Sequence, residues 1–203
     1  MSKVAFASRI MSNTIAKDNN LIVLMLSGYL ESGKDSVAEV LQKDYNFTRI
    51  AFADVLKDAV SKHHNIPRHL MDTDKGKKSI WEGRTVRQYL IDYGQNARKD
   101  DPLVWVKPVC KLIKSFQNRA ETNKFVITDW RMPNEYTGIC DMIGTDNVIK
   151  CRVNRWEKAP LDDYTEKALD DETFHVVFDN TKELKDLTEN VASNMKTLDL
   201  CNV

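Results

Sequence analysis

Lys34 sits where a lysine can do chemistry. It follows Gly28-Tyr-Leu-Glu-Ser-Gly33, so two glycines five positions apart precede it, and Asp35 and Ser36 come next. Glycines at these points let a backbone wrap closely around phosphate oxygens, and the lysine adds a full positive charge that can follow β- and γ-phosphates. If Lys34 opens a helix, the unpaired N–H groups and the dipole of that helix end favour an anion in the same place. Asp35 stands where Ser or Thr is usual in such loops, and the hydroxyl is displaced to Ser36.

Charge stabilisation is the other requirement of phosphoryl transfer, and arginine forks suit phosphate oxygens. Arg84, Arg87, Arg131, Arg152 and Arg155 all fall at element boundaries near expected strand ends. Asp129 closes an apolar run within Thr128-Asp129-Trp130-Arg131. An acid there can orient a metal-bound water or accept from a phosphate-bearing loop; the alternatives are a helix cap or an ion pair with Arg131. Asp35 can work beside Lys34 or serve only as a first-turn acid. His63-His64 does not read as a metal pair, since adjacent side chains diverge on either a helix or a strand, and an exposed loop is expected. His175 reads as structural. Among Trp81, Trp105, Trp130 and Trp156, Trp105 is the candidate for stacking on a base, with packing as the alternative.

The surrounding elements explain how these groups could meet. Leu21-Ile-Val-Leu-Met-Leu26 reads as a strand buried on both faces, and Val37, Ala38, Val40 and Leu41 mark a helix after the loop. A short strand over 46–52 and a helix with a stripe at Val55, Leu56, Ala59 and Val60 follow. Residues 61–84, with Pro67, Gly76 and Gly83, read as a mobile, irregular insertion. A helix over Thr85–Tyr93 is expected to end at Gly94. Another helix spans 102–116, starting late or kinking at Pro108. Lys124–Asp129 is a buried strand and 134–142 a helix. Residues 147–153 form a strand, 154–172 a polar acidic segment and 175–178 a final strand. A closing helix runs over 181–195 with Leu184, Leu187 and Val191 inward. Strands alternating with helices predict an α/β fold with a parallel sheet covered on both faces, its ligands beyond the carboxyl ends of the strands.

Composition narrows the setting. The chain has 203 residues, 42% hydrophobic and 30% charged, with zero formal net charge. One α/β domain with a substantial core fits that length, and the charge balance argues against a nucleic-acid partner. The four cysteines, Cys110, Cys140, Cys151 and Cys201, form no CxxC pair and read as reduced thiols. No apolar run reaches the ~18 residues of a membrane span. Residues 1–20 carry Lys3, Arg9 and Lys17 before the first acid, which mildly resembles a transit peptide, and read as a frayed extension ahead of the first strand.

Several blocks together resemble the deoxynucleoside monophosphate kinases of the phage and viral type, relatives of adenylate kinase. The loop is similar to the family's GxxxSGKD[ST], which makes Asp35-Ser36 the family form. Phe52-Ala-Asp-Val-Leu-Lys57 resembles FAxPLK. Arg84-Thr-Val-Arg87 through Gly94 resembles the R-x-L-x-x-x-G helix. Trp105-Val-Lys107 matches WVK, and Asp129 through Glu135 resembles D-x-R-x-x-x-E. Arg152 to Thr165-Glu166 resembles the arginine-bearing lid, and Asp179-Asn180 the block near the adenine. Gln95, Thr181 and Lys182 depart from that pattern.

The resemblance implies a three-layer P-loop nucleoside monophosphate kinase fold over 21–203, with an acceptor-binding insertion about 58–105 and a lid about 153–172. It implies transfer of the γ-phosphoryl of ATP to a deoxynucleoside 5′-monophosphate, in the cytoplasm, and it is compatible with a homodimer. Lys34, Asp35, Asp129 and Arg131 would be catalytic. Gly28, Ser32, Gly33, Lys34, Asp35, Ser36, Arg152, Arg155 and Asn180 would bind ATP, with Mg²⁺ at Ser36, through water with Asp129. Lys57, Arg84, Arg87, Gly94, Trp105, Asp129, Arg131, Glu135, Thr165 and Glu166 would bind the acceptor. A related small-molecule kinase, for phosphomevalonate or dephospho-coenzyme A, and a nucleotide-binding protein without turnover are the alternatives. Trp105-Val-Lys107 and Asp129-x-Arg131 favour a nucleotide acceptor over an isoprenoid.

Overall fold

The computed structural model describes residues 21–155, 164–198 and 200. The expected extension 1–20, Trp156 with the middle of the expected lid, and Cys201 lie outside the described residues. Five strands, β1 (Ile22–Ser27), β2 (Thr48–Ile50), β5 (Lys124–Ile127), β6 (Val148–Asn154) and β7 (Val176–Asp179), form one sheet in the order β2-β5-β1-β6-β7. Every neighbouring pair is parallel. A hydrophobic run such as Leu24-Met-Leu26 suits β1 because that strand is central and covered on both faces.

The pleat divides those residues between two cores. Leu24, Leu26, Val126, Ile149 and Cys151 pack with Val37, Ala38 and Leu41 of α1 (Lys34–Tyr45) and with Leu187, Val191 and Met195 of α8 (Leu184–Thr197). Val23, Met25, Phe125 and Ile127 face the other way. There they meet α2 (Phe52–His64), α5 (Val106–Asn118) and α6 (Pro133–Ile143) through Phe52, Val109, Ile113 and Ile139. Helix–sheet–helix layering follows directly from this alternation. No helix among the described residues is long and apolar enough to cross a membrane.

The segment 61–84 differs from the irregular insertion read in the sequence. α2 continues to His64. A 3-10 turn (Arg68–Met71), α3 (Asp74–Lys78) and an antiparallel pair, β3 (Ile80–Trp81) with β4 (Arg84–Thr85), then follow. A third small core of Val60, Ile66, Met71, Val86 and Tyr89 holds these pieces together. His63 and His64 accordingly lie in the last turn of α2 and not on a loop. Their rings are 5.3 Å from Tyr93 and 4.7 Å from Tyr89 respectively.

The next helix, α4 (Val86–Asp100), runs through Gly94 instead of ending there. Gly94 is buried, and a Cβ at that position would lie 3.3 Å from Leu56 of α2. It is a close-packing point between helices, and Ala97 beyond it packs against the core. Pro108 falls in the first turn of α5, where its missing N–H costs nothing, so the helix starts late and needs no kink. β2 is shorter than expected because Phe52 already opens α2. Leu184, expected inward, is 65% exposed at the start of α8. A short helix, α7 (Tyr164–Lys167), returns the chain toward β7.

Candidate active site

The carboxyl end of β1 leads into the glycine loop. Gly28 must approach other atoms closely: a Cβ there would lie 2.6 Å from the Val153 carbonyl and 2.5 Å from Ser32 Oγ. Gly33 caps α1 with φ at 94°, a left-handed conformation that glycine adopts without strain. Lys34 then starts α1, and its Nζ folds back to donate to the carbonyls of Gly28 (2.6 Å) and Tyr29 (2.8 Å). Ser32 Oγ is buried and has no hydrogen-bond partner. Asp35 is exposed and Ser36 half-buried in the first turn. Asn180, placed by resemblance near an adenine, is buried beneath the loop. Its Nδ2 donates to the Ser32 carbonyl at 2.8 Å.

Parallel pairing brings three cations to this loop. Ser27 of β1 is in register with Arg152 of β6, and Arg152 Nη1 donates to Ser27 Oγ at 3.1 Å. The Arg152 guanidinium lies 4.4 Å over the Tyr29 ring and donates through Nη2 to Asp170 Oδ1 at 3.0 Å. Tyr29 OH donates to the same oxygen at 2.9 Å. Arg131, beyond the end of β5, donates through Nη1 to Glu166 Oε1 at 2.5 Å and lies 3.5 Å from Thr165 Oγ1. The other oxygen of Glu166 accepts from the loop N–H of Leu30 at 2.5 Å. Arg155 is exposed and donates to the Glu31 carbonyl at 3.5 Å. Burial, and secondarily the charges of Arg131 and Arg152, push the Lys34 ammonium down to about 8, against the opposing pull of Glu166 and Asp35.

Asp129 is spent on helix capping. Its two oxygens accept from the backbone N–H groups of Phe52 (2.9 Å) and Ala53 (2.7 Å), the first two residues of α2. Burial raises its pKa even though both bonds favour the ionised form. Glu135 does the same for α6, accepting from the N–H of Arg131 (3.0 Å) and Met132 (3.1 Å). Its side chain is 4% exposed and burial pushes it up to about 7, while Arg98 Nη2 stands 3.6 Å away.

The remaining charged acceptor candidates pair with acids on α2 and the insertion. Lys57 pairs with Asp72 (3.1 Å) and Asp54 (3.5 Å). Arg68 pairs with Asp54, Asp58 and Asp72. Arg84 pairs with Asp92 and covers the Tyr89 ring at 4.8 Å; Arg87 pairs with Asp74 at 3.3 Å. Trp105 is 5% exposed at the start of α5, with its Nε1 lacking a partner and its ring 6.3 Å from Tyr93. Trp130 is buried too, its Nε1 donating to the Met132 carbonyl. His175 is structural: its Nδ1 accepts from the Lys150 N–H, and burial drives it down to about 4.

Tyr29, Arg68, Arg98 and Asp170 also take part in these contacts and stand outside the set of residues expected from the sequence. Arg98 follows Arg87 by about three helical turns and so shares its face, but the helix was expected to stop at Gly94. Asp170 lies beyond the end of α7 and joins the site through Arg152 and Tyr29, contacts that no local spacing announces.

A search of curated proteins found no match. The family model described as phosphomevalonate kinase matches residues 26–144, more than half of the chain. That span carries the glycine loop, Lys57, Arg84, Arg87, Asp129 and Arg131, and stops before Arg152, Glu166 and Asn180. With this loop at the carboxyl end of a central parallel strand, the chain belongs to the phosphomevalonate kinase family and is a small-molecule kinase.

Proposed function

We propose that this kinase transfers the γ-phosphoryl group of ATP to a deoxynucleoside 5′-monophosphate. The observation that carries phosphoryl transfer is the convergence of Lys34, Arg131 and Arg152 at the glycine loop: Arg152 donates to Ser27 at the end of β1, and Arg131 is tied through Glu166 to the loop N–H of Leu30. An oxygen of the acceptor phosphate bonds to the γ-phosphorus, the bond to the β–γ bridging oxygen breaks, and ADP and a diphosphate leave. The loop amides, Ser32 and Lys34 hold the donor; Arg131 meets the acceptor phosphate, and Arg152, beside Ser27 at the loop, balances the moving charge. Arg155 lies at the rim on the donor side.

No group of three or more His, Cys, Asp or Glu side chains among the described residues could hold a metal ion. Mg²⁺, which keeps few protein ligands when it travels with a nucleotide, would sit at the Ser36 hydroxyl and neutralise phosphate charge. Asp129, with both oxygens on α2 amides, fits it only through water.

The choice of a nucleotide acceptor is supported by the Trp105-Val-Lys107 and Asp129-x-Arg131 blocks. It is supported also by the contiguous aromatic rings of His64, Tyr89, Tyr93 and Trp105, with the Arg84 guanidinium over Tyr89. Phosphomevalonate is the second reading, favoured by the description of the matching family. ADP release with Mg-ATP and the four dNMPs, ribonucleotides and phosphomevalonate separates them. Turnover that depends on a dNMP is expected, and turnover with phosphomevalonate alone overturns the nucleotide assignment in favour of the second reading. Lys34→Ala should abolish turnover while leaving the circular-dichroism spectrum unchanged; retained activity would remove the loop from the mechanism.

A further inference from the structure

We propose that Glu166 is a positioning residue that links the donor loop to the acceptor-side Arg131, touching neither substrate. This rests on the phosphoryl-transfer reading above. Its two oxygens are divided between the two halves of the site: Oε2 accepts from the loop N–H of Leu30 and Oε1 accepts from Arg131 Nη1, both at 2.5 Å. The side chain is 3% exposed, so the carboxylate depends on these partners for the solvation it has lost. Arg131 is gripped at both ends, its own N–H by Glu135 and its guanidinium by Glu166, yet its side chain remains 40% exposed and can present further N–H groups to a ligand. A displacement of the loop at Leu30 is therefore carried through one buried carboxylate to the Arg131 fork. Donor binding at the loop would set the arginine that the acceptor phosphate meets, and a shift of even a fraction of an ångström there matters for in-line transfer.

The test has a readout that needs no substrate. Amide exchange at Leu30, followed by NMR on the full chain without ligand, is compared for the wild type, Glu166→Gln, Arg131→Ala and the double variant, with thermal melting confirming that each is folded. Linkage predicts that exchange at Leu30 rises in Arg131→Ala as well as in Glu166→Gln, by about tenfold or more, and no further in the double variant. Unchanged exchange in Arg131→Ala overturns the proposal. In steady-state kinetics, Glu166→Gln should raise the acceptor KM about tenfold and leave the ATP KM within about twofold. The loss should be absent when Arg131 is already alanine, and Glu166→Asp, which keeps the charge, should recover part of it. Additive losses in the double variant would instead make Glu166 an independent contact and overturn the linkage. If the wild type turns over none of the dNMPs, the acceptor assignment fails by itself, and the exchange measurement still decides whether Glu166 links loop and arginine.

Discussion

Lys34 and Glu135 are both taken out of water at this site, and burial moves their protonation in ways that can be measured. Lys34 must carry its proton to attract phosphate, and its folded pKa is down to about 8. kcat/KM for ATP, which reports the free enzyme, should therefore be flat below that pH and fall by up to about tenfold per unit above it. A profile flat to about pH 10 would mean that the lysine charge is not needed. Glu135 moves the other way, from 4.5 to about 7. The folded protein binds this proton more tightly than the unfolded chain does. The stability gained is full below about 4.5 and lost as pH rises through about 7. Urea denaturation should show the wild type losing on the order of 2–3 kcal/mol relative to Glu135→Gln between about pH 5 and about pH 8. Equal slopes for the two proteins would place the titration elsewhere.

Helix starts account for much of what the acids near the site do. Asp129, at the end of β5, fixes where α2 begins, and this junction sets the position of Lys57 on that helix. Asp129→Ala should cost about 1–3 kcal/mol in urea denaturation, because two half-buried amides at the start of α2 lose their acceptors. Asp129→Asn retains one acceptor oxygen and should lose less. A large fall in kcat for that variant without a matching loss of stability would show a chemical role besides the cap. The same elements show what could be read from the chain alone. β1, the loop and α1 were legible because a six-residue apolar run, a glycine turn and a helical stripe follow one another without interruption. The structure of 61–84 was not, since Ile66 and Met71 have no local period; their partners Val60, Val86 and Tyr89 lie on other elements. Gly94 misled for a related reason. A glycine that ends a helix and one that admits Leu56 of a neighbouring helix look identical in sequence, and Arg98 was lost with the wrong ending. The cap role of Asp129 was an open alternative in the sequence, and only the position of α2 decided it.

At the scale of the molecule, two cores sandwich one sheet, and the thiols report on both. Cys110 belongs to the core beneath α2, α5 and α6, and Cys151 to the one beneath α1 and α8. Both are buried; burial pushes the Cys110 thiol up to about 11 and raises that of Cys151 as well. Alkylation of these two residues, followed by mass spectrometry, should be negligible in the native protein and should appear together as denaturant unfolds it. Labelling of one well before the other would show that the layers open separately.

The placement of β1 has a consequence for how the chain acquires its structure. The strand at the centre of the sheet is the first one along the described chain, yet its neighbours are far downstream: Ile22 pairs with Lys124, and Val23 with Val148. During synthesis β1 and its loop must wait, apolar and unpaired, until both flanking strands have emerged. Closing such long loops before any contact rewards them slows folding and leaves an aggregation-prone strand exposed in the meantime. The arrangement that brings Lys34, Arg131 and Arg152 to one sheet end thus makes the site one of the last parts of the molecule to form.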